Sequence, residues 1–220
     1  MIRLHLGDQP ANITLDALLG IVREADDIAA TAVAGETLPA FARCHRALVG
    51  ARLKDNILVD IQLRQLLEQG YLSSSLRCSR EPYGEPLPDA QSGIPAIVME
   101  MLLYSRPGVI EVLPALPPTL LKGSINGMLA RTFGRIDNLT WDMGVRTVEL
   151  TVTSFRNQNV TLMARHGIES ITAPAGVLAA PLQSGKANID VRLPANKPVT
   201  FHLKLGRHRP LDWVNLVEPA

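Results

Sequence analysis

Aromatic residues make up only 4% of this chain, with two tryptophans, three tyrosines and four phenylalanines. That scarcity argues against a self-contained sugar-binding cleft, which ordinarily offers flat rings to stack on. Cysteine is nearly absent as well. Cys44 and Cys78 are too few for a disulfide scaffold and leave room for one optional bridge. No apolar run approaches the ~20 residues of a membrane-spanning helix. The opening run MIRLHLGD lacks the long apolar core of a secretory leader. Excess charge of one sign is missing too, and a net charge of +1 offers no global attraction to nucleic acid or an anionic membrane. The histidines have no i, i+4 or Cys-x-x-Cys partners, so no metal and no cofactor is expected. No G-x-S-x-G elbow, phosphate loop or dinucleotide glycine phrase occurs.

What is present, 46% apolar residues over 220 positions, suits a soluble globular protein of one large or two small domains. The organising stretch is Asp89 to Pro117, DAQSGIPAIVMEMLLYSRPGVIEVLPALP. Within it, Ile94 to Tyr104 holds a single charge, Glu100. Apolar residues all round predict a helix buried on every side, with Pro95 at its first position and Ser105 to Gly108 ending it. Glu100 reads as a structural carboxylate that pairs with an arginine or caps a loop N–H, with a group lining the mouth of a site as the functional alternative.

Upstream of this stretch the pattern is helical. Residues 1–12 predict a short helical or irregular start, and Thr14 caps a helix with Leu15, Leu18, Leu19 and Val22 on one face. Phe41, Cys44, Leu48 and Val49 form a second inward stripe, with His45, Arg46 and Arg52 on the wet side. Asn56 caps a third helix, with Ile57, Leu58, Ile61 and Leu66 facing inward and Gly70 ending it. Tyr71 to Gln91 is a long loop rich in serine and proline, of the kind that carries function in compact domains.

Downstream, from Val109, the apolar period falls to two. Strands are expected over 125–131, 134–141, 145–153, 160–164, 188–193 and 199–205. Asp142-Met143-Gly144 reads as a hairpin loop whose glycine takes positive φ. Val148, Leu150 and Val152 alternate with polar residues, so one face of that sheet is wet. Trp141 and Trp213 are candidates for sugar stacking, although strand tryptophans more often pack a core. Lys204, Arg207, His208 and Arg209 form a basic cluster that reads as a solvated end.

The run GIPAIVMEMLLYSRPGVIEVLPALP, followed by GSINGMLARTFGRIDNLTWDMGVRTVELTV, resembles the C-terminal part of glycoside hydrolase family 95, the α-L-fucosidases and related α-galactosidases. The likeness is close from Gly93 to Thr153, weak before Arg52 and faint after Gly167. It implies an α+β chain in two segments. Residues 1–106 are helices from the end of an (α/α)6 barrel, and residues 107–220 are a C-terminal antiparallel β-sandwich. In the family a Leu-Gly-Asp phrase closes a late barrel helix, so Leu6 to Asp8 implies a chain that starts inside the barrel.

Counting back from Glu100-Met-Leu-Leu places Asp89, without a gap, on the catalytic Asp of the family's Gln-Ile-Asp-Gly-Asn-Phe-Gly phrase. Leu87 and Pro88 stand in place of Gln-Ile, Ala90, Gln91 and Ser92 in place of Gly-Asn-Phe, and Tyr83 near the family's His; Gly93 is retained. Family enzymes invert the anomeric centre. A Glu protonates the leaving oxygen, and an Asn polarised by this Asp activates water on the opposite face. No residue here takes the donor's place by motif; Glu81 and Glu85 share the loop and read as solvated. The resemblance implies a glycosidase portion whose partner is carbohydrate ending in fucose or galactose, without turnover on its own. Neither nucleic acid nor a membrane is an expected partner. Self-association, or the rest of the barrel, is expected to cover its apolar helix faces. The alternative is a non-catalytic module that binds carbohydrate or a partner chain. Members of the family are often secreted or periplasmic.

Overall fold

The computed structural model describes residues 2–6, 9–13, 38–68, 88–182 and 187–206, with the backbone alone for 2–6, 9–13, 68 and 88–91. The chain divides into two compact units, Met1–Met101 and Leu102–Ala220. Its described elements are α+β: three helices, a separate hairpin and two mostly antiparallel sheets.

The first unit opens with a hairpin of β1 (Ile2–Leu6) and β2 (Gln9–Ile13), where the sequence predicts a helical or irregular start. The resemblance has the Leu-Gly-Asp phrase close a helix, and Gly7 and Asp8 themselves lie outside the described residues. That phrase begins on the last residue of a strand and does not close a helix. The helix expected from Thr14, the stop at Gly70 and the loop from Tyr71 to Leu87 lie outside the described residues.

Helices α1 (Ala40–Leu53) and α2 (Asn56–Glu68) are joined by Lys54 and Asp55. Lys54 takes a left-handed φ of 62°, and its N–H returns to the Ala51 carbonyl. Asp55, and not Asn56, caps α2. Its carboxylate accepts the N–H of Ile57 at 3.1 Å and of Leu58 at 2.9 Å, worth about 1 kcal/mol. The buried stripe of α1 is Ala40, Arg43, Cys44, Ala47, Gly50 and Ala51. Phe41 is 52% exposed. On α2, Val59, Gln62, Leu63 and Leu66 are buried, while Ile57 and Ile61 are exposed. Both expected stripes are therefore rotated. Close helix approach selects small side chains, whereas a stripe read from apolar bulk favours the large ones on a neighbouring face.

Helix α3 (Pro88–Leu102) starts at Pro88, so that residue, and not Pro95, takes the tolerated first position. Pro95 lies inside the helix and is exposed. Ile97, Met101 and Leu102 are buried, but Met99 is 48% exposed, so α3 is buried on one side only. It runs straight into β3 (Leu103–Arg106), which turns at Pro107 and Gly108 into β4 (Val109–Val112). Gly108, at φ 77°, supplies the left-handed position of a Pro-Gly turn. The same dipeptide reads equally well as a helix stop, which is why the strand went unforeseen. Among the described residues, no helix is long and apolar enough to cross a membrane.

In the second unit, β5 (Lys122–Ala130), β6 (Gly134–Asp142) and β7 (Thr147–Ser154) form a meander. The chain then alternates between sheets through β8 (Gln158–Ala164), β9 (Ile168–Thr172), β10 (Asn188–Leu193) and β11 (Pro198–Leu205). The strand orders are β10-β8-β4-β3 and β5-β6-β7-β11-β9. The pair β4–β8 is parallel, a correction to the wholly antiparallel expectation. Only hairpin neighbours are forced to be antiparallel, and the meander separates these two strands. One face of each sheet is apolar. Val148, Leu150, Val152, Phe201 and Leu203 on one, and Val160, Leu162, Ile189, Val191 and Leu193 on the other, are each at most 6% exposed. Full burial of one such Leu or Phe side chain is worth about 1.5–3 kcal/mol.

A bulge keeps β6 in that core. Between the pairs Asn126–Asn138 and Met128–Ile136, Gly127 holds φ 78° and the register of β6 on β7 shifts. Ile136 and Leu139 therefore both point inward, although a regular strand would separate them. Asp137 sits at the bulge, accepting the Thr153 hydroxyl and the Arg135 Nε–H, each at 2.6 Å. Burial pushes its carboxyl up, but the Thr153 hydroxyl and the Arg135 guanidinium together draw it below the usual range.

Gly123 pairs with Trp141 across β5 and β6, and the indole covers the glycine. A Cβ at position 123 would fall 2.4 Å from Trp141 Cζ2. The Trp141 Nε1–H donates to the Leu120 carbonyl at 2.9 Å, which fixes the ring. Gly123→Ala is expected to lower stability by about 1–3 kcal/mol through overpacking. Thermal unfolding followed by indole fluorescence checks this, and an unchanged midpoint would show that the ring moves aside freely.

Candidate functional site

The resemblance implicates Asp89, and the structure sets it directly after Pro88 in the first turn of α3, on a helix and not in a loop. Its side chain lies outside the described residues. One turn further on, α3 meets α1 closely. A Cβ on Gly93 would stand 2.8 Å from Cys44 Sγ and 2.9 Å from Cys44 Cβ. The glycine retained from the family phrase is thus a steric requirement, and Cys44 is buried at the contact. Further along, Glu100 Oε1 lies 2.6 Å from Arg52 Nη2 of α1, the structural pairing expected of this carboxylate. Because Arg52 is 42% exposed, the pair is worth about 0–1 kcal/mol.

Arg43, buried on α1, donates from Nε to the Leu38 carbonyl at 3.2 Å and from Nη1 to Gln65 Oε1. The buried Gln62 Oε1 has no hydrogen-bond partner. Among the described residues no group of three or more His, Cys, Asp or Glu side chains could hold a metal. Cys78, Glu81, Tyr83, Glu85, Trp213 and the basic residues 207–209 lie outside the described residues.

Gly93→Ala, in a Cys78→Ser background, is expected to wedge α3 from α1, costing about 1–3 kcal/mol of stability. Alkylation of Cys44 should speed up in parallel. If neither denaturation midpoint nor alkylation rate moved, Gly93 would not be what seats this helix.

A second cluster of polar groups lies on the outer face of the five-stranded sheet. Cross-strand registry aligns Ser124, Thr140, Glu149, His202 and Thr172 in one row, and Lys122, Asp142, Thr147, Lys204 and Ser170 in the next. The Thr140 hydroxyl donates to Asn138 Oδ1 at 3.1 Å, and the Asn138 amide donates to Glu149 Oε1 at 3.1 Å. Glu149 Oε2 lies 3.6 Å from His202 Nδ1. Lys204 Nζ donates to the Val145 carbonyl at 2.5 Å. These groups border a shallow groove of about 390 Å³. Trp141 is not a stacking platform there, being 6% exposed with its indole N–H engaged. The alternation in β7 marks this face as wet from sequence, but the rows exist only once strand registry is known, so no site is legible there.

At the end of the groove the β6–β7 loop differs from expectation. Arg146 takes the left-handed φ, 55°, and Gly144 is not among the residues of positive φ. Asp142 holds the loop instead, accepting the N–H of Gly144 at 2.9 Å and of Val145 at 3.3 Å. The Lys122 ammonium, 2.8 Å away, holds the Asp142 carboxyl below the usual carboxylate range, against a smaller upward push from lost solvent. A depressed folded-state pKa means stabilisation present above the unfolded value and lost as pH falls through the folded one. Hydrogen exchange at Gly144 and Val145, corrected for intrinsic rate, should therefore accelerate below the ordinary Asp range, and Asp142→Asn should abolish that pH dependence.

Residues 104–206 match the family model described as glycoside hydrolase family 95, C-terminal domain. No curated protein matches the chain. Among solved structures, a GH127 β-arabinofuranosidase aligns over 75% of this chain at 15% identity, with a TM-score of 0.37. The chain spans 32% of the length of that protein. The sequence resemblance and the matched family model point the same way: residues 104–206 are similar to the C-terminal domain of glycoside hydrolase family 95.

Proposed function

We propose that this chain is the C-terminal portion of a glycoside hydrolase that removes terminal α-linked fucose or galactose with inversion. In this reading the helical unit is an arc of an (α/α)6 barrel and the two sheets form a β-sandwich. The observation that carries the reading is continuity: the family 95 match begins at residue 104, directly after the helix whose first turn holds Asp89. Exposure of Phe41, Ile57, Ile61, Leu67 and Met99 supports the view that further helices belong against this unit.

Inverting hydrolysis needs a proton donor on one side of the sugar and an activated water on the other, with the two groups roughly 6.5–9.5 Å apart. Asp89 is assigned to the water side, where its carboxylate orients and polarises an amide that in turn positions the water. A carboxylate in the first turn of a helix is favoured as the anion, the form that accepts the amide N–H. The donor has no counterpart by motif in this chain, so the isolated polypeptide is proposed to lack turnover.

The test joins this chain to an upstream barrel segment of a family 95 enzyme and measures hydrolysis of aryl α-L-fucosides and α-D-galactosides. The joined protein should hydrolyse one of them, and Asp89→Asn should reduce the rate by about a hundredfold or more. A variant as fast as its parent would remove Asp89 from the mechanism. Enzymatic rates from the 220-residue chain alone would overturn the reading.

A further inference from the structure

We propose that the outer face of the five-stranded sheet is a binding site for a neutral saccharide of one or two rings, centred on Glu149 and His202. The first argument is preorganisation. Thr140 donates to Asn138 and Asn138 donates to Glu149, both at 3.1 Å, so the Glu149 carboxylate is held in one orientation by a neighbour that is itself held. Ligand binding at such a carboxylate loses little side-chain freedom, a cost that otherwise erodes the affinity of polar sites.

The second argument is the kind of hydrogen bonding left over. Glu149 Oε2 faces the groove edge beside His202, and the hydroxyls of Thr172 and Ser170 complete the row ends. A carboxylate that accepts two adjacent hydroxyls, flanked by groups that both donate and accept, matches a vicinal diol. The third is charge. Lys122 is paired with Asp142 at 2.8 Å, and among the described groups of the groove the charges of Glu149 and Lys204 offset each other, so no net positive charge favours an anionic ligand. A volume of about 390 Å³ lies at the low end of the ~300–1,000 Å³ of small-molecule sites. With Trp141 turned into the core, no ring stacks on the sugar, and the dissociation constant is set on the order of 1 mM.

The experiment titrates the full chain with L-fucose, D-galactose and D-glucose in turn, with inorganic phosphate as the anionic comparison, and follows amide and imidazole resonances by NMR. At least one sugar should give saturable shifts at Thr140, Thr172 and His202. Glu149→Gln should weaken that binding about tenfold, and Thr172→Val, which keeps side-chain shape but removes the hydroxyl, should weaken it about threefold or more. Shifts that fail to saturate for every sugar by about 100 mM, that map elsewhere on the chain, or that phosphate alone produces would overturn the proposal. Binding without turnover is what is read, so the outcome does not depend on whether Asp89 acts in catalysis.

Discussion

The second unit depends on the fact that each residue of the central pair β7–β11 has only two sides to face. Burying Val148, Leu150 and Val152 on one strand against Phe201 and Leu203 on the other satisfies the core. The same pleat then forces Thr147, Glu149, Thr151, His202 and Lys204 outward in aligned rows. The aligned polar face is thus a consequence of the core. A slip of one residue in this pair would turn the apolar set to water and lose about 1.5–3 kcal/mol for each large side chain exposed. Chemistry placed on such a face inherits the rigidity of the strands beneath it.

Glycine plays the matching role where elements must approach closely. Gly93 lets α3 lie against Cys44 of α1, and Gly123 lets Trp141 lie across β5. Both belong to the phrases by which the chain resembles family 95. Motif glycines here record steric contacts between elements, and they locate the proposed site only by fixing the helix or strand that bears it. Asp89 illustrates this: one turn before Gly93, its backbone is seated by a contact made by the glycine.

Much of the β unit was legible in sequence because alternation is a local property. Strands 188–193 and 147–154 lie where Val, Ile and Leu recur at every second position. What escaped was non-local or ambiguous. The β6 bulge breaks the alternation at Asp137 and Asn138, and the compensation comes from Thr153 on a neighbouring strand. Pro107-Gly108 ends a helix or turns a hairpin with the same residues, and only the partner strand β4 decides between them. The helical stripes failed for a different reason. The α1 interface is built from Ala, Cys and Gly, whose small hydrophobic signal is swamped by exposed Phe41 beside them. Of the candidate sites, Asp89 came from resemblance, whereas the Glu149 row needs four strand registers at once.

Geometry separates the two sites by chemical role. Cleaving a glycosidic bond with inversion takes groups on opposite faces of one ring, spaced roughly 6.5–9.5 Å so that water fits between. Glu149 and His202 stand side by side, 3.6 Å apart, on the same face of one sheet. Such a pair approaches a sugar from one side only and stabilises ground state and transition state alike, which is binding without acceleration. The polar row on the sheet is therefore suited to hold a saccharide, whereas the role proposed for Asp89 calls for a group facing it across the sugar ring.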